Sequence, residues 1–164
     1  NKVQEAVEKW REIKKINSAI KLHMIGKLQT NKVKLAVQIF DYIHSVDSEK
    51  LARKIADEQS KINKNIKIFL QVNIGNEYQK SGINKHETER LVSFSKGIGL
   101  NVIGLMCIPP MNIDPEVYFV EMNKLKKDFG FDELSMGMSS DYVTAIKHLS
   151  TYVRIGSSIF GQRS

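Results

Sequence analysis

The sequence predicts an α/β fold of the TIM-type (β/α)8 barrel class, incomplete at about six βα units, and three observations carry the prediction. Six short apolar runs alternate with stretches of helical period, and no Asn-Gly hairpin signal stands between any two of them. Strands joined through helices pair in parallel by crossover connections. Polar or turn-forming residues follow every run, at Gly26, Asp47, Asn73, Pro109, Gly137 and Gly156. A site assembled from all strand ends is the habit of a barrel, whereas a doubly wound sheet gathers its site at one switch point. The dinucleotide fingerprint G-x-G-x-x-G is absent. A barrel of this class has eight strands, so two more are expected to stand before Asn1.

The elements follow in order. Residues 2–16 place Val3, Ala6, Val7, Trp10, Ile13 and Ile16 at helical spacing, which predicts an amphipathic helix. A first strand is expected over Lys21–Gly26. Thr30 or Asn31 then caps a helix carrying Val33, Ala36, Val37 and Phe40. Tyr42–Val46 is a second strand, and Asp47 or Ser48 caps the helix through Leu51 and Ile55. Ile66–Asn73 is nearly continuously apolar, as suits a strand buried on both faces. A helix begins near Lys85 and holds Leu91, Val92 and Phe94. Val102–Ile108 forms a fourth strand, ended by Pro109 and Pro110, which cannot continue a ladder. Residues 115–129 are helical, with Val117, Phe119, Val120, Met122 and Leu125 on the apolar face. Glu133–Met136 and Tyr152–Ile155 are the last two strands, separated by a helix with Val143, Ile146 and Leu149.

At 164 residues and 41% hydrophobic, the chain can bury a core as one domain. No run of about 18 apolar residues suggests a membrane span, and no signal-peptide pattern opens the chain. The single cysteine, Cys107, cannot form an internal disulfide, which fits a reducing cytoplasmic compartment. The formal charge of +7 raises a nucleic-acid partner, but the lysines are scattered along helical segments among acids, without the interleaved aromatics of an RNA-binding sheet. Solvated helix faces are the reading of those charges, so neither nucleic acid nor membrane is an expected partner.

The chemistry concentrates in Leu134–Arg163, where two loops of small residues follow two strands. Ser139 and Asp141 can cap the intervening helix and leave first-turn N–H groups for an anion. Gly156 permits close approach of the second loop, and Ser157 and Ser158 add hydroxyls. That pattern suits a phosphate, although small residues after strands also make plain turns. Arg154 stands between apolar Val153 and Ile155, where a guanidinium is costly to bury unless paired, which favours a functional role.

The segments LHMIGKLQTNK, IHSVDSEKLA, IFLQVNIGNEYQKSGI, VIGLMCIPP, LSMGMSSDYVTAI and YVRIGSSIFGQR together resemble the pyridoxal phosphate homeostasis proteins, whose fold is that of the N-terminal barrel domain of alanine racemase. The resemblance runs in order over nearly the whole chain. It implies a monomeric barrel, spanning 1–164 as a single domain lacking its N-terminal part, that binds pyridoxal 5'-phosphate (PLP) at its strand ends and buffers or delivers it without turnover. It assigns the phosphate to Ser139, Gly156 and Ser157, with Ser135 and Met138 nearby, and places Arg154 by the cofactor ring. Asn1 is similar to the asparagine of a Gly-Glu-Asn turn that ends the family's second strand. Two departures follow. The family's Schiff-base lysine, on its first strand, has no counterpart, so PLP is expected to be held non-covalently; and Leu149 stands where members of the family carry glycine.

The alternatives are a PLP-dependent racemase-like enzyme, which would need that lysine and a tyrosine from another domain, and a non-functional remnant of the family. His23 and His44 are read as barrel-lining, with no further ligand at metal spacing. Cys107 is read as a buried hydrophobe, Asp47 as a helix cap, and Met24, Met106, Met136 and Met138 as core filling. Lys27, Lys32 and Lys80 could replace the missing lysine only if desolvated and aimed at the aldehyde. Asn31 and Asn73 could be cofactor donors or loop caps.

Overall fold

A computed structural model describes residues 1–111 and 113–161; Asn112 and residues 162–164, with Arg163 of the terminal motif, lie outside the described residues. Among the described residues there are seven strands: β1 (His23–Met24), β2 (Tyr42–Val46), β3 (Lys67–Asn73), β4 (Ile83–Asn84), β5 (Asn101–Cys107), β6 (Glu133–Met138) and β7 (Tyr152–Arg154). The helices are α1 (Val3–Ile16), α2 (Val33–Ile39), α3 (Glu49–Lys61), α4 (Thr88–Gly97), α5 (Glu116–Asp128), α6 (Tyr142–Lys147) and α7 (Ser157–Phe160). The sheet runs in the order β1-β2-β3-β5-β6-β7, with β4 attached to β3, and every pairing is parallel.

Five strand spacings separate β1 from β7, which in a flat sheet would hold them about 24 Å apart. Their rings meet instead: His23 of β1 and Tyr152 of β7 have centroids 5.8 Å apart. The sheet is therefore curled into an open half-barrel, an incomplete (β/α)8 architecture, as the strand-helix alternation predicts. Alternation along each strand divides its residues between two faces. Ile43, Ile68, Leu70, Leu105 and Leu134 join Val37, Leu51, Ile55, Leu91 and Phe119 in one buried cluster between sheet and helices. Tyr42, His44, Phe69 and Tyr152 meet on the concave side.

Several local expectations are corrected. The ladder of β1 covers only His23–Met24, because its flanking bonds go to the turn before β2: Leu22 O accepts from Asp41 and Tyr42 N–H, and Asp41 Oδ2 accepts from Leu22 N–H. β4 is too short to leave a periodic signal. Neither Thr30 nor Asn31 caps α2, since both lie in a 3-10 turn, Thr30–Lys32, that runs straight into the helix. Ser48, not Asp47, caps α3 by accepting from Leu51 N–H. The apolar stripe of α1 is buried only at Val3, while Trp10, Ile13 and Ile16 are exposed. Val117 and Val120 of α5 are likewise exposed, leaving Phe119 and Met122 to anchor that helix, and Val143 and Ile146 of α6 leave the anchoring to Ala145.

Leu149 has a physical explanation. Helix α6 ends with Leu149 at φ +64, Leu149 N–H donating to Ile146 O and Ser150 N–H to Ala145 O, the paired bonds of a Schellman stop. That position favours glycine, because a left-handed backbone brings Cβ against the following carbonyl. Just beyond it, Ser150 Oγ donates to Met136 O at 2.7 Å and Thr151 Oγ1 accepts from Leu134 N–H at 2.9 Å, which ties this corner to β6. Replacing the exposed Leu149 by glycine is expected to stabilise the chain by about 1 kcal/mol, a rise of roughly 2–4 °C in Tm. A thermal melt showing a fall would contradict the strain.

Candidate functional site

The carboxyl ends of β6 and β7 lie side by side, so the loops that follow them adjoin. Gly137 is at φ +94, and a Cβ there would run into Ala145 of α6, so the close return of the helix onto the strand requires glycine. Asp141 does not cap α6 with its side chain; its Oδ1 reaches back to accept from Met138 N–H at 2.6 Å. Ser139 does not cap α6 either. Its Oγ lies 3.3 Å from Gly156 N and 3.4 Å from Ser158 N, accepting from the second loop and joining the two. With α6 only six residues long and α7 four, the anion-binding capacity of this corner rests on hydroxyls and loop amides rather than on a helix dipole.

Arg154 projects from β7 into the interior. Its Nη1 donates to Ser135 Oγ at 2.9 Å and its Nη2 to the Cys107 carbonyl at 2.8 Å. Among the described residues it has no carboxylate partner. Burial lowers its pKa from the ordinary arginine value, and burial pushes the Cys107 thiol up to about 12, so that sulfur supplies no negative charge. Its hydrogen bonds thus go to neutral groups alone, with Asp141 adding only a lesser coulombic pull. A half-buried cation in that state favours an anion beside it.

Below Arg154 lies a floor of rings. His44 Nδ1 is 2.8 Å from Ser135 Oγ, and His44 Nε2 is 2.9 Å from His23 Nδ1. His23 stacks on Tyr42 at 4.0 Å and His44 on Phe69 at 4.3 Å, with Tyr152 in edge or tilted contact with all four. Burial holds His44 at about 3, with His23 and Arg154 adding to the effect, and burial also lowers His23 against an opposing pull from Asp41. Both rings are neutral near pH 7.

Above this floor opens a cavity of about 1060 Å³. Six of the seven residues singled out in the sequence line it: Asn1, Met138, Ser139, Arg154, Gly156 and Ser157. Ser135 does not. It is fully buried behind Arg154, and its hydroxyl is engaged with that residue and His44. Asn1 sits so close to Gly26 that a Cβ there would collide with its carbonyl. Sequence reasoning missed the wall contributed by Ile25, Ile108, Tyr152 and Phe160, and treated His23 and His44 as separate lining residues. The period-2 pattern of YIHSV does place Tyr42 and His44 on one face; nothing local pairs His44 with His23. Asn73 is a loop clamp, holding Glu77 through both its backbone N–H and its carbonyl. Of the candidate lysines, Lys27 lines the cavity, Lys32 borders a smaller pocket beside it, and Lys80 donates to the Pro109 carbonyl. Among the described residues no three His, Cys, Asp or Glu side chains are grouped to hold a metal, and no helix is long and apolar enough to cross a membrane.

An open parallel half-barrel with small-residue loops and an arginine at its last strands defines a class, and comparison bears on which one. The family model described as Alanine racemase, N-terminal domain, matches residues 2–164. The pyridoxal phosphate homeostasis protein of Pasteurella multocida is 37% identical over 174 residues, covering 99% of this chain and 75% of that protein, and its counterpart in Aquifex aeolicus is 35% identical over 173 residues with the same coverage. The solved structure of PipY from Synechococcus elongatus without PLP superposes with a TM-score of 0.90 at 31% identity, covering 98% of this chain and 80% of PipY. The PLP-bound form gives 0.81 at 32% identity, covering 98% and 79%. The chain belongs to the pyridoxal phosphate homeostasis protein family, within the alanine racemase N-terminal domain fold.

The depressed His44 pKa has a consequence for stability. Between its ordinary value of 6.5 and about 3, the unfolded chain takes up a proton that the folded chain refuses. Stability from this group is therefore complete above about pH 6.5 and is lost as pH falls toward 3, at up to about 1.4 kcal/mol per pH unit. Thermal melts from pH 7 to 5 should fall more steeply for the native chain than for His44→Phe, which cannot titrate; parallel slopes would show that His44 is not held neutral.

Proposed function

We propose that this chain binds pyridoxal 5'-phosphate in the cavity at the ends of β6 and β7 and serves to buffer or deliver that cofactor in the cytoplasm, as a monomer and without catalytic turnover. Residues 1–164 act on this reading as one cofactor-binding unit. The observation that carries it is Arg154: a guanidinium inside the curled sheet, bonded only to neutral atoms, on the wall where the Ser139 loop meets Gly156 and Ser157. The residues suit the group. Ser139 and Ser157 offer hydroxyls to a phosphate, Gly156 leaves open space beside them, since a Cβ there would meet nothing within 4 Å, and Met138 and Asn1 complete the rim. Relatives of 33–37% identity bear the name of PLP homeostasis proteins, and PipY has been solved with PLP bound.

When bound, PLP supplies an electron sink through its pyridine ring. Arg154, were it to stand beside the pyridine nitrogen, would disfavour protonation there and weaken the sink, which would suit a carrier better than an enzyme. Retention by non-covalent contacts is supported by the two lysines on this cavity among the described residues: Lys2 and Lys27 are both exposed, whereas a lysine that attacks an aldehyde at neutral pH must be desolvated.

Titration with PLP is expected to show saturable binding, without the absorbance change that attachment to a lysine amine brings. Arg154→Gln should weaken binding about tenfold or more, the size of a lost charge-assisted hydrogen bond, and Ser139→Ala combined with Ser157→Ala should weaken it as well. Unchanged affinity in both variants would refute the site.

A further inference from the structure

Arg154, His44 and His23 on the cavity wall, with Ser135 buried behind them, form a chain of hydrogen bonds of one direction. Arg154 Nη1 carries only hydrogens, so Ser135 Oγ accepts from it. Ser135 is fully buried, and the acceptor within reach of its own hydroxyl hydrogen, among the described residues, is His44 Nδ1 at 2.8 Å. The reverse assignment, His44 Nδ1–H donating to the serine, would strand that hydrogen in the interior, where unpaired polar groups are costly. His44 therefore carries its proton on Nε2 and donates to His23 Nδ1 at 2.9 Å. His23, with Nδ1 occupied as an acceptor, carries its own proton on Nε2, which has no partner among the described residues, and its ring borders the cavity.

We propose that Arg154, Ser135, His44 and His23 are a one-way donor relay, in which Ser135 and His44 are positioning residues that keep His23 as a second hydrogen-bond donor on the cavity wall for an anionic oxygen of the ligand. The fixed positive charge at the head polarises each bond in the same sense and selects one tautomer for both imidazoles. Ser135, out of contact with the cavity, acts through its two neighbours. The stacking of His23 on Tyr42 and of His44 on Phe69 holds the rings in place, leaving the hydrogen bonds to decide only where the protons sit. The ligand half of the proposal rests on the cofactor reading above; the tautomer half does not.

Nitrogen-15 correlation spectra of the ligand-free chain at pH 7 test the relay directly, with exposed His86 as the internal reference. Both His23 and His44 are expected as neutral Nε2–H tautomers, and Ser135→Ala should convert His44 to a tautomer mixture. A native His44 in the Nδ1–H form would overturn the relay, as would Ser135→Ala spectra identical to the native ones; the native spectrum decides even if that variant does not fold. His23→Phe, which retains the stack on Tyr42, should weaken PLP binding about threefold to tenfold. Unchanged affinity in His23→Phe would remove the ligand half, whereas unchanged affinity in both Arg154→Gln and the Ser139→Ala, Ser157→Ala pair would remove the cofactor site itself and leave the tautomers standing.

Discussion

The curvature of the sheet is the constraint on which everything else depends. A strand only three residues long, β7, brings Tyr152 against rings from β1, β2 and β3, which a flat sheet would keep out of reach. Because β7 turns inward, Arg154, two residues on, enters the same interior and meets the Cys107 carbonyl of β5 and the Ser135 hydroxyl of β6. The curled sheet is packed on both faces, by a largely aliphatic cluster against the helices and by rings within. The site is a product of that packing before it is a product of any motif.

The electrostatics follow from the same geometry. A cation drawn inside by the fold would ordinarily find a carboxylate; here it finds a serine, a peptide carbonyl and, through the serine, an imidazole forced to stay neutral. The arrangement keeps the charge available to an incoming anion, at the cost of burying it incompletely satisfied. Hydroxyls and loop amides on the neighbouring corner add donors without adding charge.

Much of the fold was legible in the sequence wherever a signal is local. The strand Tyr42–Val46 is read to the residue, and the third strand to within one, because their apolar runs are bounded by helix caps and turns. Arg154 announced itself by standing between two apolar neighbours, and the small-residue loops by following strands. The exposed stripe of α1 was not legible, since period reveals an apolar face and not what covers it. Contacts made by curvature were equally hidden. His44 meets Ser135 across 91 positions, and no spacing rule reaches that far; for the same reason Ser135 was placed on the cavity when it lies one layer behind it. The expected cap of α6 failed because both side chains found closer amides, Asp141 behind itself and Ser139 across the gap. Leu149, noted only as a departure from family glycine, acquires its meaning from a backbone angle.

That leucine bears on how the corner opens. Helix α6 links the loop bearing Ser139 to the segment where Ser150 and Thr151 grip β6, and a strained residue closes it. Fraying of this single turn would loosen both ends together, so breathing of the corner and access to its amides are one local equilibrium. A ligand that bridges the two loops would act as a clasp on that equilibrium, slowing hydrogen exchange at residues it never touches.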